Sequence, residues 1–127
     1  MANKLSNHLL RASVIYAILG MMLGIHMAAS NDHGQMPTHA HLMLLGWVGM
    51  TIYAFVYRAL EGAAEGVLAK LHVSLAHIGL VALTAGLYLI FSGNASIGEP
   101  VATAASLALL ANMLLFAVIV FRATGTR

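Results

Sequence analysis

The stretch NDHGQMPTHAHLMLLGW, from Asn31 to Trp47, sets His33, His39 and His41 in a short polar break and the apolar run that follows it. No other part of the chain gathers ligand-type side chains so densely. An imidazole is costly to hold in hydrocarbon unless something partners it. The stretch therefore raises two questions at once: where the membrane boundary falls, and what the histidines bind. A haem or a metal ion is one answer. The other is that His33 and His39 are interfacial loop residues and that His41 alone lies inside, bonded to a neighbouring helix.

Of 127 residues, 61% are hydrophobic and 8% charged, and the mean hydropathy is +0.89. A soluble domain carries roughly 25% charged residues, so this inventory cannot make a water-facing surface. A single integral membrane domain over residues 1–127 is expected, with the lipid bilayer as its main partner. Six Lys and Arg against four Asp and Glu are too few and too dispersed for a nucleic-acid partner. Cysteine is absent, which removes disulfides, thiolate zinc sites and iron–sulfur clusters. Any metal centre must use His, Met, Asp or Glu.

Four apolar segments follow one another, at about residues 9–30, 38–60, 68–91 and 100–121. Each is near the ~20 residues that a helix needs to cross about 30 Å of hydrocarbon. They do not alternate apolar and polar residues as barrel strands would. The fold class expected is all-α, a membrane four-helix bundle, with Pro100 in the first turn of the fourth helix. Lys4, Arg11, Arg58, Lys70, Arg122 and Arg127 all fall on one side of this topology, while Asp32 and Glu99 lie on the other. The positive-inside rule then places both termini in the cytoplasm and the histidine-rich loop outside, in a bacterial inner membrane. The first segment exceeds the 7–15 apolar residues of a signal-peptide core and is read as a retained helix. Gly20 and Gly24, Gly46 and Gly49, and Ala82 and Gly86 are small-residue spacings that let helices approach. Four helices enclose little by themselves, so a homo-oligomer is expected.

Depth sorts the histidines. At about 1.5 Å per residue, His26 and His41 each lie a turn below the outer ends of their helices, so by depth they form the best intrachain pair for a haem. His39 is about 200° around the helix from His41, and both cannot face one site unless the helix begins after His39. His72 and His77 enter from the inner surface and offer a second site, or bond to neighbouring helices. His8 is expected at the solvated inner edge.

HAHLMLLGWVGM at 39–50, preceded by Asp32 and His33 and followed by KLHVSLAHIG at 70–79, resembles the small four-helix membrane proteins related to the catalytic subunit of haem–copper oxidases and nitric oxide reductases. The resemblance implies that His41 sits where that superfamily's second helix ligates a low-spin haem. The later helices that supply the second low-spin ligand, the high-spin haem ligand and the copper-binding histidines have no counterpart here, so the oxygen-reducing centre is not carried over. An opposing ligand would be His26, His77, His39, a residue of another subunit, or none.

Three functions follow as expectations. The first is a non-catalytic b-type haem protein, acting in electron transfer, haem handling or gas response, with His41 as principal ligand, His26, His77, His39 and His72 as further candidates, and a redox partner. The second is copper binding by His33, Met36 and His39 with Asp32, extended by Met27 or Met43. The third is a structural accessory subunit whose histidines join helices. No nucleophile–base or paired-carboxylate arrangement supports an enzyme, and Glu61 and Glu65 read as a solvated turn.

Overall fold

The computed structural model describes residues 4–60 and 62–125; Glu61 and Arg127, invoked above, lie outside them. Among the described residues the chain is all-helical, with no strand. Four helices, α1 Lys4–Ser30, α2 Met36–Ala59, α3 Val67–Phe91 and α4 Ala95–Thr124, are each long and apolar enough to cross a membrane. Within the most apolar window of each, between 22% and 33% of residues are buried. Most of that apolar surface therefore needs lipid or another chain to cover it.

The connections are built from left-handed residues and end bonds. Asn31, at φ 57°, turns the chain out of α1, an angle that Asn tolerates better than most side chains. Gly93, at φ 92°, closes α3, and the Asn94 N–H reaches back to the Leu89 carbonyl at 2.8 Å, satisfying an end carbonyl in the manner of a glycine C-cap. α4 begins at Ala95 rather than near Pro100, so the proline lies inside the helix, not in its first turn. Gly98 N–H already bonds the Asn94 carbonyl at 2.9 Å; the proline removes one later donor and the helix runs through it.

α2 departs from a plain helix. Residues Leu42–Gly49 are π-helical, between α-helical Met36–His41 and Met50–Ala59. Such widened turns are rare and tend to mark functional segments. Here the widening includes Gly46, whose missing Cβ would lie 2.7 Å from the Tyr16 Cβ of α1.

The helices form two tight hairpins, α1 with α2 and α3 with α4. Glycine makes each one close. Gly20 backs onto Met43, and a Cβ on Gly24 would fall 3.0 Å from the His39 ring, so the first GxxxG is an intrachain contact. In the second hairpin a Cβ on Gly98 would fall 2.6 Å from the Gly86 carbonyl, and one on Gly86 2.7 Å from the Ala102 nitrogen. The main core joins both hairpins through Leu9, Leu42, Met50, Tyr57, Leu80 and Phe116.

Gly86→Ala and Gly98→Ala, which push a methyl onto backbone that cannot yield, should each destabilise by about 1–3 kcal/mol. Ala104→Leu, at an exposed position, should leave stability within ~0.5 kcal/mol. Unfolding of the purified variants by graded SDS in mixed micelles measures both.

Candidate functional site

The seven histidines are distributed among different sites. His72, on α3, is fully buried at 0% exposure. Its Nδ1 lies 2.8 Å from the Tyr57 hydroxyl of α2, its ring stacks on Phe116 of α4 at 4.7 Å and 21°, and Tyr53 meets it edge-on at 4.5 Å. Its Nε2 has no hydrogen-bond partner. His77, one and a half turns further along α3, has Nδ1 2.7 Å from the Tyr16 hydroxyl of α1 and Nε2 3.0 Å from Nε2 of His8. Both ring nitrogens of His77 are thus engaged within the chain. His8 is exposed at the end of the bundle where Lys4 and Arg58 also lie, and its expected role as an edge residue misses this contact with His77.

His39 and His41 diverge around α2. His39 turns to α1, where its Nδ1–H donates to the Gly20 carbonyl at 2.7 Å. His41 turns the other way. Its Nδ1–H donates to the Pro37 carbonyl of its own helix at 2.7 Å, which fixes the tautomer and leaves Nε2 as a free acceptor. The side chain lines a groove of about 420 Å³ between α2, α3 and α4, with Leu83, Leu87 and Ile90 from α3 and Glu99, Ala102 and Leu107 among its α4 residues. This groove was not legible in the sequence, because helix depth gives no information on which hairpin a histidine faces.

His26 is exposed near the C-terminal end of α1 and is not among the residues that line the groove beside His41. His33 is exposed in the loop, where its carbonyl accepts the Met36 N–H at 3.1 Å. Asp32 Oδ1 accepts the Gly34 N–H at 3.0 Å. With His39 turned towards Gly20, the set His33, Met36, His39 and Asp32 is not assembled around one point, and among the described residues no three His, Asp or Glu side chains converge as a metal site.

The groove fits a haem in one respect. An imidazole oriented through Nδ1–H on a backbone carbonyl, with its Nε2 lone pair open, is how proteins hold metal-ligating histidines. The apolar walls beside it suit a macrocycle. It offers one protein ligand, since His39 and His77 are held elsewhere.

The Tyr57–His72 bond is buried. Tyr57→Phe leaves the Nδ1 of His72 unpaired and should destabilise by about 1–3 kcal/mol. In a double-mutant cycle with His72→Phe, read by SDS unfolding, a coupling of about 0.5–3 kcal/mol is expected; additivity would show the bond to be idle. Comparison with family models, with curated proteins and with solved structures finds no match for this chain.

Proposed function

We propose that this chain is a non-catalytic b-type haem-binding protein of the bacterial inner membrane, with both termini cytoplasmic and His41 as the axial ligand from the outer half of α2. The observation that carries it is the His41 imidazole, set by its own helix with Nε2 free over a largely apolar groove. The resemblance of residues 39–50 to the haem-ligating helix of the oxidase and nitric oxide reductase superfamily supports the same side chain. Bound there, the haem would supply one-electron chemistry or a site for a diatomic gas. The chain's own contribution is to orient one imidazole and to exclude water from one face of the ring.

A single chain would supply one imidazole to the iron, and the sixth position would then take a gas or a side chain from a second copy in a homo-oligomer. The exposed apolar surface left on every helix is compatible with such an assembly. Electron transfer with a redox partner follows where that sixth position is filled; gas response or haem handling follows where it is open.

Protein purified from haem-replete cells should show a Soret band and, on reduction, α and β bands. His41→Ala should abolish or strongly shift them, while His33→Ala should leave them unchanged. Carbon monoxide should move the reduced Soret band if the sixth position is open. A wild-type haem spectrum in His41→Ala would overturn the ligand assignment. For orientation, a single cysteine introduced at Asp32 should react with an impermeant maleimide from outside intact cells, and one at Gly62 only after lysis.

A further inference from the structure

Of the histidine contacts that join helices, one has an imidazole at each end. His8 Nε2 faces His77 Nε2 at 3.0 Å, with the two rings at 73° rather than stacked. His77 is half-buried and held in place by Tyr16, whose hydroxyl lies 2.7 Å from its Nδ1, while His8 is exposed. Protons therefore reach the pair from the end of the bundle where Lys4 and Arg58 lie. We propose that this pair is a pH-operated latch between α1 and α3, closed while the two rings carry at most one charge between them and released by the second.

The proton count sets this limit. A bond between two imidazole nitrogens needs hydrogen on one and a lone pair on the other. Two neutral rings meet that need in either direction of donation, and so does a pair carrying one charge, since one Nε2 still donates and the other still accepts. The singly charged bond is the stronger form. With a second charge both Nε2 atoms carry hydrogen, no acceptor remains between them, and like charges stand at contact distance. The released pair binds one proton more than the latched pair, so the latched state loses ground as pH falls. A free imidazole takes up its proton at about pH 6.5, which places the release below that value.

No neighbour offsets the second charge. On α1, Lys4 and Arg11 lie a turn to either side of His8, and Tyr16 is the remaining titratable group at the pair. α2 brings Arg58, whose guanidinium donates to Oδ1 of Asn7 at 2.6 Å, while its Tyr53 and Tyr57 face His72. On α3, His72 is turned to those two tyrosines, and Lys70 is exposed nearer the helix start. α4 carries no titratable residue between Glu99 and Arg122, and Glu65 lines a separate pocket with Arg122. Among the described residues, neither imidazole has a carboxylate partner. The latch also sits on the looser seam of the bundle. Glycine brings α1 onto α2 and α3 onto α4, whereas α1 and α3 face each other across a cleft of about 560 Å³ whose wall includes Tyr16. Release therefore parts the hairpins at the Lys4 end while each keeps its own contacts. The latch does not depend on haem binding at His41.

The test uses the full chain in lipid nanodiscs with isotope-labelled histidine. At about pH 8, NMR should show a nitrogen–nitrogen coupling across the His8–His77 bond, absent in His8→Gln, and at about pH 5 that coupling should be lost as both rings report as imidazolium. Glutamine can still hydrogen-bond His77 and cannot titrate. In SDS unfolding between about pH 6 and 5, the folded-to-unfolded ratio of the wild type should therefore fall severalfold further than that of His8→Gln, up to about tenfold per pH unit, the most that one extra proton allows. The other histidines are common to both proteins and cancel in the comparison. Spin labels on cysteines introduced at the exposed positions Ile15 and Ile78 should move apart on acidification in the wild-type background and stay in place with His8→Gln. If His8→Gln does not fold, His77→Gln takes its role. Equal pH slopes in the two proteins, a coupling that survives at about pH 5, or a label distance unchanged by acid would each overturn the latch.

Discussion

Imidazole in a low-dielectric interior must find its partner inside the protein, and the fold is arranged to provide it. α3 carries two histidines below its midpoint, and each is met by a tyrosine of the other hairpin: His72 by Tyr57 of α2 and His77 by Tyr16 of α1. Interhelical bonds of this kind are worth about 0.6 kcal/mol on average and up to ~1.7 kcal/mol in membrane proteins. Their effect here is geometric as much as energetic. They fix the register between hairpins that otherwise meet through long side chains.

The contrast between contacts within and between hairpins explains where the open spaces lie. Within each hairpin, glycine lets backbone approach backbone, as at Gly86 and Gly98. Between hairpins the spacers are Tyr16, Tyr53, Tyr57 and Phe116 with their histidines. Rings of this size hold helix axes apart. A cleft between α1 and α3 has Tyr16 in its wall, and the groove beside His41 has the small residues Ala102, Thr103 and Ser106 of α4 in its own.

The helix count was legible in residues 9–30, 38–60, 68–91 and 100–121 because apolar runs of membrane length have no other reading. The first GxxxG was legible as a packing signal, and Gly20 and Gly24 do pack on α2. The opposite facing of His39 and His41 followed from helical angle alone. What escaped the sequence depends on neighbours. Periodicity carries no sign of the π-helical Leu42–Gly49, which arises where Gly46 meets Tyr16. Pairing His26 with His41 rested on depth, and depth does not say that His39, not His41, occupies the face towards α1. The Tyr–His pairs lie 15 and 61 residues apart in sequence, too far for any local pattern to show.

These placements bear on whether the histidines are simply joints between helices. His72, His77 and His8 behave that way, and so does His39 through the Gly20 carbonyl. His41 does not. Its hydrogen bond is to the carbonyl four residues back on its own helix, so it adds no link between elements, yet its ring lines a groove of leucine, isoleucine and alanine that Glu99, Thr103 and Ser106 also border. A joint needs a partner on another helix, whereas a ligand needs one nitrogen tied and the other free. His41 meets the second requirement and not the first, whereas His72 meets both, with Nδ1 on Tyr57 and an unpartnered Nε2; helix joining accounts for an imidazole at His72 and gives no account of one at His41.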